Sequence, residues 1–203
     1  MRLCRTIRRW LHKFRLSRYR LSALSGIVVG YCFAFVLGVV CLQGQTFKPS
    51  EYQVKSVYLY NFGKFVEWPR TAAAAGSPSF VICVLGEDPF GPILNTTLAG
   101  ETVSGKRPEA RRVASVQDAN DCHILYISTS EQRRLGQVLT YLNGKSVLTV
   151  SDMEQFSDRG GIIQFVWDRD RVRFEVNLAA ATKAGLTLSS ELLKVAARVR
   201  QNP

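Results

Sequence analysis

The sequence predicts an α/β domain: a mixed, mostly parallel sheet of about six strands sandwiched by helices, in one domain behind an export leader. Three observations carry this. The runs Phe80–Leu85 and Cys122–Ile127 are apolar almost without interruption, as strands covered on both faces are. Segments with apolar residues at helical spacing fall between such runs. Near the end, Asp168-Arg169-Asp170 separates two strand-like runs and marks a hairpin, which adds antiparallel strands at one end of a parallel core.

The leader comes first. Residues 1–20 carry Arg2, Arg5, Arg8, Arg9, Lys13, Arg15, Arg18 and Arg20 and no acid, and residues 21–42 carry no charge. A basic flank before a long apolar run is read by the export machinery, with the basic end kept in the cytoplasm. A run over 21–42 suffices to span a bilayer and exceeds the usual apolar core of a cleaved signal, about 7–15 residues. That length favours an uncleaved anchor over a removed signal peptide. Leu42-Gln43-Gly44 is only a fair cleavage site, and Val39-Val40-Cys41 lacks the small residue expected before a lipidated cysteine. Residues 1–44 are therefore leader, 45–50 linker and 51–200 an exported domain on the far side of the cytoplasmic membrane, free or anchored to it.

Within the domain, Ser50-Glu51-Tyr52-Gln53 has the form of a capping box. Val54, Val57, Tyr58, Phe62, Phe65 and Val66 follow at helical spacing, and the helix must end by Trp68-Pro69. Phe80–Leu85 is the first buried strand, ending at Gly86. A short helix is predicted from Phe90 to Leu98 and a weaker strand over Pro108–Val113. After the Cys122–Ile127 strand, Ser130-Glu131 opens an amphipathic helix through Leu135, Val138, Leu139 and Leu142, stopped by Asn143-Gly144. Ser146–Val150 is a strand and Asp152–Phe156 a helical turn. Gly160-Gly161 opens Ile162–Trp167, and Val172, Phe174 and Val176 alternate on the return strand. Asn177 caps a helix ending near Gly185, and Ser190 caps a last helix reaching Val199.

Charge narrows the function. The net charge of +11 is mostly leader: the remaining 19 basic residues exceed the 16 acidic ones by three. Nucleic-acid binding would need a basic face on the folded part, so it is not predicted. Of five cysteines only Cys83 and Cys122 fall in the domain. In an oxidising compartment a disulfide is the natural reading, set against two small buried strand thiols.

No constellation of catalytic or metal-ligating residues stands out. His123 is the single histidine beyond the leader and lies inside a strand, where a satisfied core histidine is the ordinary case. Glu101, Asp118, Asp121, Asp152, Asp158 and Glu175 show no pairing that singles out a general acid and base. No cofactor is called for and no enzyme is predicted. Gly86-Glu87-Asp88-Pro89-Phe90-Gly91 follows a buried strand and precedes a helix, where open α/β sheets bind ligands. It lacks the lysine of a phosphate loop, and its acids repel phosphate. A candidate pocket is therefore Gly86, Asp88, Phe90, Gly91 and Ser128, set against a plain strand-to-helix turn. The aromatic cluster around Tyr58–Trp68 extends beyond one narrow stripe. Tyr60, Phe62, Lys64, Phe65 and Trp68 are a candidate partner surface, set against simple core packing.

Several strings occur in order: VKSVYLYNFGKFVEWP over 54–69, ICVLGEDPFG over 82–91, DCHILYIS over 121–128, VLTVSD over 147–152, Phe156, GGII over 160–163, FEVNL over 174–178 and SSELL over 189–193. Together they resemble the YfiR family of periplasmic regulators, from about Glu51 to Val199. The resemblance implies a non-enzymatic, often dimeric domain that represses a membrane diguanylate cyclase through that partner's periplasmic region. Release of the repressor, by an outer-membrane lipoprotein or by redox change, raises cyclic di-GMP and favours biofilm. Cys83 and Cys122 match one family disulfide. A second, near Phe156–Phe165, is absent: that segment reads FSDRGGIIQF.

Overall fold

The computed structural model describes residues 49–201. The leader over 1–44 and most of the linker lie outside them, and with them the choice between anchor and cleaved signal. Among the described residues no helix is long and apolar enough to cross a membrane.

Helix α1 spans Glu51–Phe65. Its capping box forms as the sequence predicts: the Gln53 amide donates to Ser50 Oγ, and the Ser50 amide donates to Gln53 Oε1. The helix stops at Phe65, before Trp68-Pro69. Val66–Glu67 (β1) turn extended there and pair antiparallel with Thr187–Leu188 (β8). The chain then runs through β2 (Ser79–Leu85), α2 (Pro92–Leu98), β3 (Arg107–Val113), β4 (Ile124–Ile127), α3 (Leu135–Leu142), β5 (Leu148–Ser151), β6 (Ile163–Asp168), β7 (Arg171–Asn177), α4 (Leu178–Lys183), β8, α5 (Ser190–Val195) and β9 (Arg198–Arg200).

The main sheet has the order β3-β2-β4-β5-β6-β7-β9. From β3 to β6 every pair is parallel; β7 returns antiparallel to β6, and β9 lies parallel to β7. The predicted mixed, mostly parallel sheet is present, with seven strands. The additional strand is β9. The sequence suggests a helix to Val199, but α5 stops at Val195. The Ala197 amide donates to Phe174 O at 2.8 Å and draws the chain onto the sheet edge. The cap of α5 is Ser189, whose side chain accepts from the Leu192 amide.

Both faces of the sheet are covered, which is why β2 reads as unbroken apolar sequence. Ile82 and Val84 join Leu59 and Phe62 of α1, with Ile124, Tyr126, Val150, Phe165 and Phe174. Val81, Cys83 and Leu85 face the other way, onto Leu135, Val138 and Leu142 of α3. Each such side chain contributes about 1.5–3 kcal/mol on burial. In the Phe156–Phe165 segment a polar clasp occupies the corner: the Ser157 amide donates to Gln164 Oε1 at 3.0 Å, and Asn177 Nδ2 donates to Ser157 O at 2.8 Å.

Candidate functional site

In this sheet β2 leads to β3 on one side and the chain then crosses to β4 on the other. The carboxyl ends of β2 and β4 therefore form a topological switch point, the usual ligand position in open α/β sheets. Gly86, Asp88, Phe90, Gly91 and Ser128 lie on the segments that leave these ends, and several of them are engaged in local contacts. Gly86 holds φ +88°, and a Cβ on it would collide with Ser130 and Glu131. The Glu87 amide donates to Ser130 Oγ at 2.9 Å. Asp88 accepts from the Phe90 amide at 2.8 Å and is ion-paired with Arg112. The buried Phe90 ring stands edge-on to Tyr52 and Tyr126, at 5.4 and 4.8 Å between centroids.

An open cleft lies beside this point, at the carboxyl ends of β4, β5 and β6. It has a volume of about 380 Å³, and its lining includes Glu51, Lys55, Asp152, Glu154, Phe165 and Trp167. At its floor Lys55, only 2% exposed, places Nζ 2.6 Å from Asp152 Oδ2 and also pairs with Glu51. The ammonium lies 4.6 Å from the centroid of the Tyr52 ring, whose hydroxyl donates to Asp152 at 3.3 Å. Burial, reinforced by Asp152 and Glu51, pushes the Tyr52 phenol up to about 12. Burial and then Asp152 push Tyr126 up as well. Both tyrosines therefore remain neutral donors. This cleft was not legible in sequence, because Glu51, Asp152 and Trp167 come from three distant segments. The one local signal is the Glu51–Lys55 spacing on a helix.

Cys83 and Cys122 form a disulfide joining β2 to the entry of β4, with Cα atoms 5.9 Å apart and both residues fully buried. Beside it His123 is buried, and its Nδ1 accepts from the Val81 amide at 3.1 Å. Its ring lies 4.4 Å from that of Phe80, and its carbonyl accepts from Trp68 Nε1. Burial, with a smaller push from Lys106, lowers His123 to about 4, so it is a neutral structural acceptor.

The candidate partner residues separate by burial. Phe62 is wholly buried in an aromatic nest with Tyr58, Phe165 and Phe174. Tyr60 is buried and hydrogen-bonded to Glu101. Trp68 is half-buried against Phe80 and His123. Lys64, which caps the Tyr60 ring at 4.2 Å, and Phe65 reach the surface, together with Val57 about two turns earlier. The width of the aromatic cluster has a simple cause: α1 packs on the sheet with α2 and α5 against its flanks. Among the described residues no three His, Cys, Asp or Glu side chains converge to hold a metal ion.

The sequence model of a family described as YfiR/HmsC-like matches residues 52–197. Among solved structures, a conserved domain protein from Vibrio cholerae O1 biovar El Tor superposes with a TM-score of 0.51 at 12% identity, over 74% of this chain and 60% of that one. The ABC domain in complex with L-Trp from Streptococcus pneumonia gives 0.43 at 12% identity, over 59% of this chain and 55% of that one. The first likeness bears on the fold alone. The chain spans less than two thirds of either.

Proposed function

The chain belongs to the YfiR/HmsC-like family, and on that premise we propose that its domain is a non-enzymatic periplasmic regulator that binds and represses a membrane diguanylate cyclase. Repression needs only a higher affinity for the inactive partner conformation. Taking such a partner from 1:99 to 99:1 requires about 5.5 kcal/mol of differential binding. The observation that carries this reading is the family match across nearly the whole described domain. The buried roles of His123, Asp152 and the disulfide support it, because each is engaged in holding the core together. The surface offered to the partner includes Val57, Lys64 and Phe65 on α1. The repressor acts as a homodimer, is relieved by an outer-membrane lipoprotein, and is held near its partner by residues 21–42 when the leader is retained.

The test is cellular cyclic di-GMP, measured by mass spectrometry in a deletion strain complemented with nothing, the wild-type gene or a Phe65→Ala variant. Deletion should raise the nucleotide, the wild-type gene should restore it, and Phe65→Ala should restore it incompletely. No change on deletion, in cells that express the protein, would refute the reading. A second reading, a small-molecule sensor acting on a membrane partner such as a sensor kinase, draws support from the open cleft on the carboxyl edge of the sheet.

A further inference from the structure

The open cleft carries features that core packing leaves unused. Ile163, Phe165 and Trp167 alternate along one face of β6. The first two are buried, whereas Trp167 is 61% exposed. The reason lies in lengths: α1 covers this face, and its first residue, Glu51, lines the same cleft as Trp167. The strand outruns the helix, and an indole stands uncovered over a cavity of about 380 Å³, a size within the range of small-ligand sites.

Acidic groups outnumber basic ones around that indole by three to one. Glu51, Asp152 and Glu154 line the cleft against one cation, Lys55, which is already engaged by two of them. Glu154 is exposed and has no ion-pair partner among the described residues. Two of the hairpin arginines, Arg171 and Arg173, lie away from this excess. Trp167 sits opposite Val172 in the β6–β7 ladder, so Arg171 and Arg173 project to the other face of the sheet. An exposed aromatic face beside a net excess of carboxylate charge attracts a cation and repels an anion.

We propose that this cleft binds a small organic ammonium ion, its charge between Glu51 and Glu154 and its carbon chain against the Trp167 indole. Lys55, pinned on the cleft floor, fixes Glu51 and Asp152 in place. The proposal is independent of which membrane protein the domain regulates, and calorimetry on the purified chain tests it without touching cyclic di-GMP. The full chain, purified in detergent, is titrated with 1,4-diaminobutane and, as an uncharged control of similar shape, 1,4-butanediol. Saturable heat with the diamine, absent with the diol and weakened at least tenfold by Glu154→Gln and by Trp167→Ala, is the expected result. Both side chains are on the surface, and circular dichroism of the variants checks that they fold. No saturable heat, equal binding of the diol, or wild-type affinity in both variants would overturn the proposal.

Discussion

Replacing Cys83 and Cys122 by alanine should destabilise the domain by about 4 kcal/mol. The two residues lie 39 apart in sequence. Releasing a loop of that length returns about 13 cal/mol/K to the unfolded chain, or about 4 kcal/mol at 25 °C. Both sulfurs come from fully buried residues, so truncation adds a cavity cost on top of the entropic one. Against an ordinary domain stability of about 5–15 kcal/mol, the loss is a large fraction. Equilibrium urea unfolding of wild type and double variant, followed by circular dichroism, measures it. A loss below about 1 kcal/mol would refute the loop-entropy reasoning. Burial adds a kinetic corollary: dithiothreitol reaches the bridge only when the structure opens, so reduction in native buffer should be as slow as that opening. Fast reduction of the folded protein, insensitive to mild denaturant, would contradict it.

His123 should make stability depend on acid. Its folded pKa, about 4, lies below the usual value of 6.5, so the unfolded chain binds more protons between them. The stabilisation is complete above pH 6.5 and is lost as pH falls towards 4, by about 3 kcal/mol in all; His123→Asn should flatten that part of a urea-midpoint profile. Lys55→Met should cost about 3–5 kcal/mol, because it leaves Asp152 mostly buried without its counter-charge. Adding Asp152→Leu should recover much of the loss, and a single variant within 1 kcal/mol of wild type would refute the role given to the pair.

What the sequence revealed depended on how local the cause was. The Ser50–Gln53 capping box, the helix stop before Pro69, the two-faced strand at Phe80–Leu85 and the hairpin at Asp168–Asp170 each rest on a few neighbouring residues, and each is present. Strand β9 was illegible because its formation depends on a carbonyl of β7, far away in sequence. Phe62 and Phe65 are both apolar and three apart, yet one is core and the other surface. That distinction depends on which elements flank α1. The cleft was hidden for the same reason, and Lys55 gave no hint that it would be nearly inaccessible.

The polar clasp of Ser157, Gln164 and Asn177 has a consequence for what this corner of the molecule can store. A covalent bridge keeps a record: once formed, it persists until a thiol or an electron donor removes it. Hydrogen bonds between an amide, a glutamine oxygen and an asparagine re-form within a fluctuation and retain nothing. At this corner the protein has no memory of past oxidants. It reports the forces and contacts acting on it at the moment, and among the described residues the covalent cysteine record is the buried Cys83–Cys122 bridge.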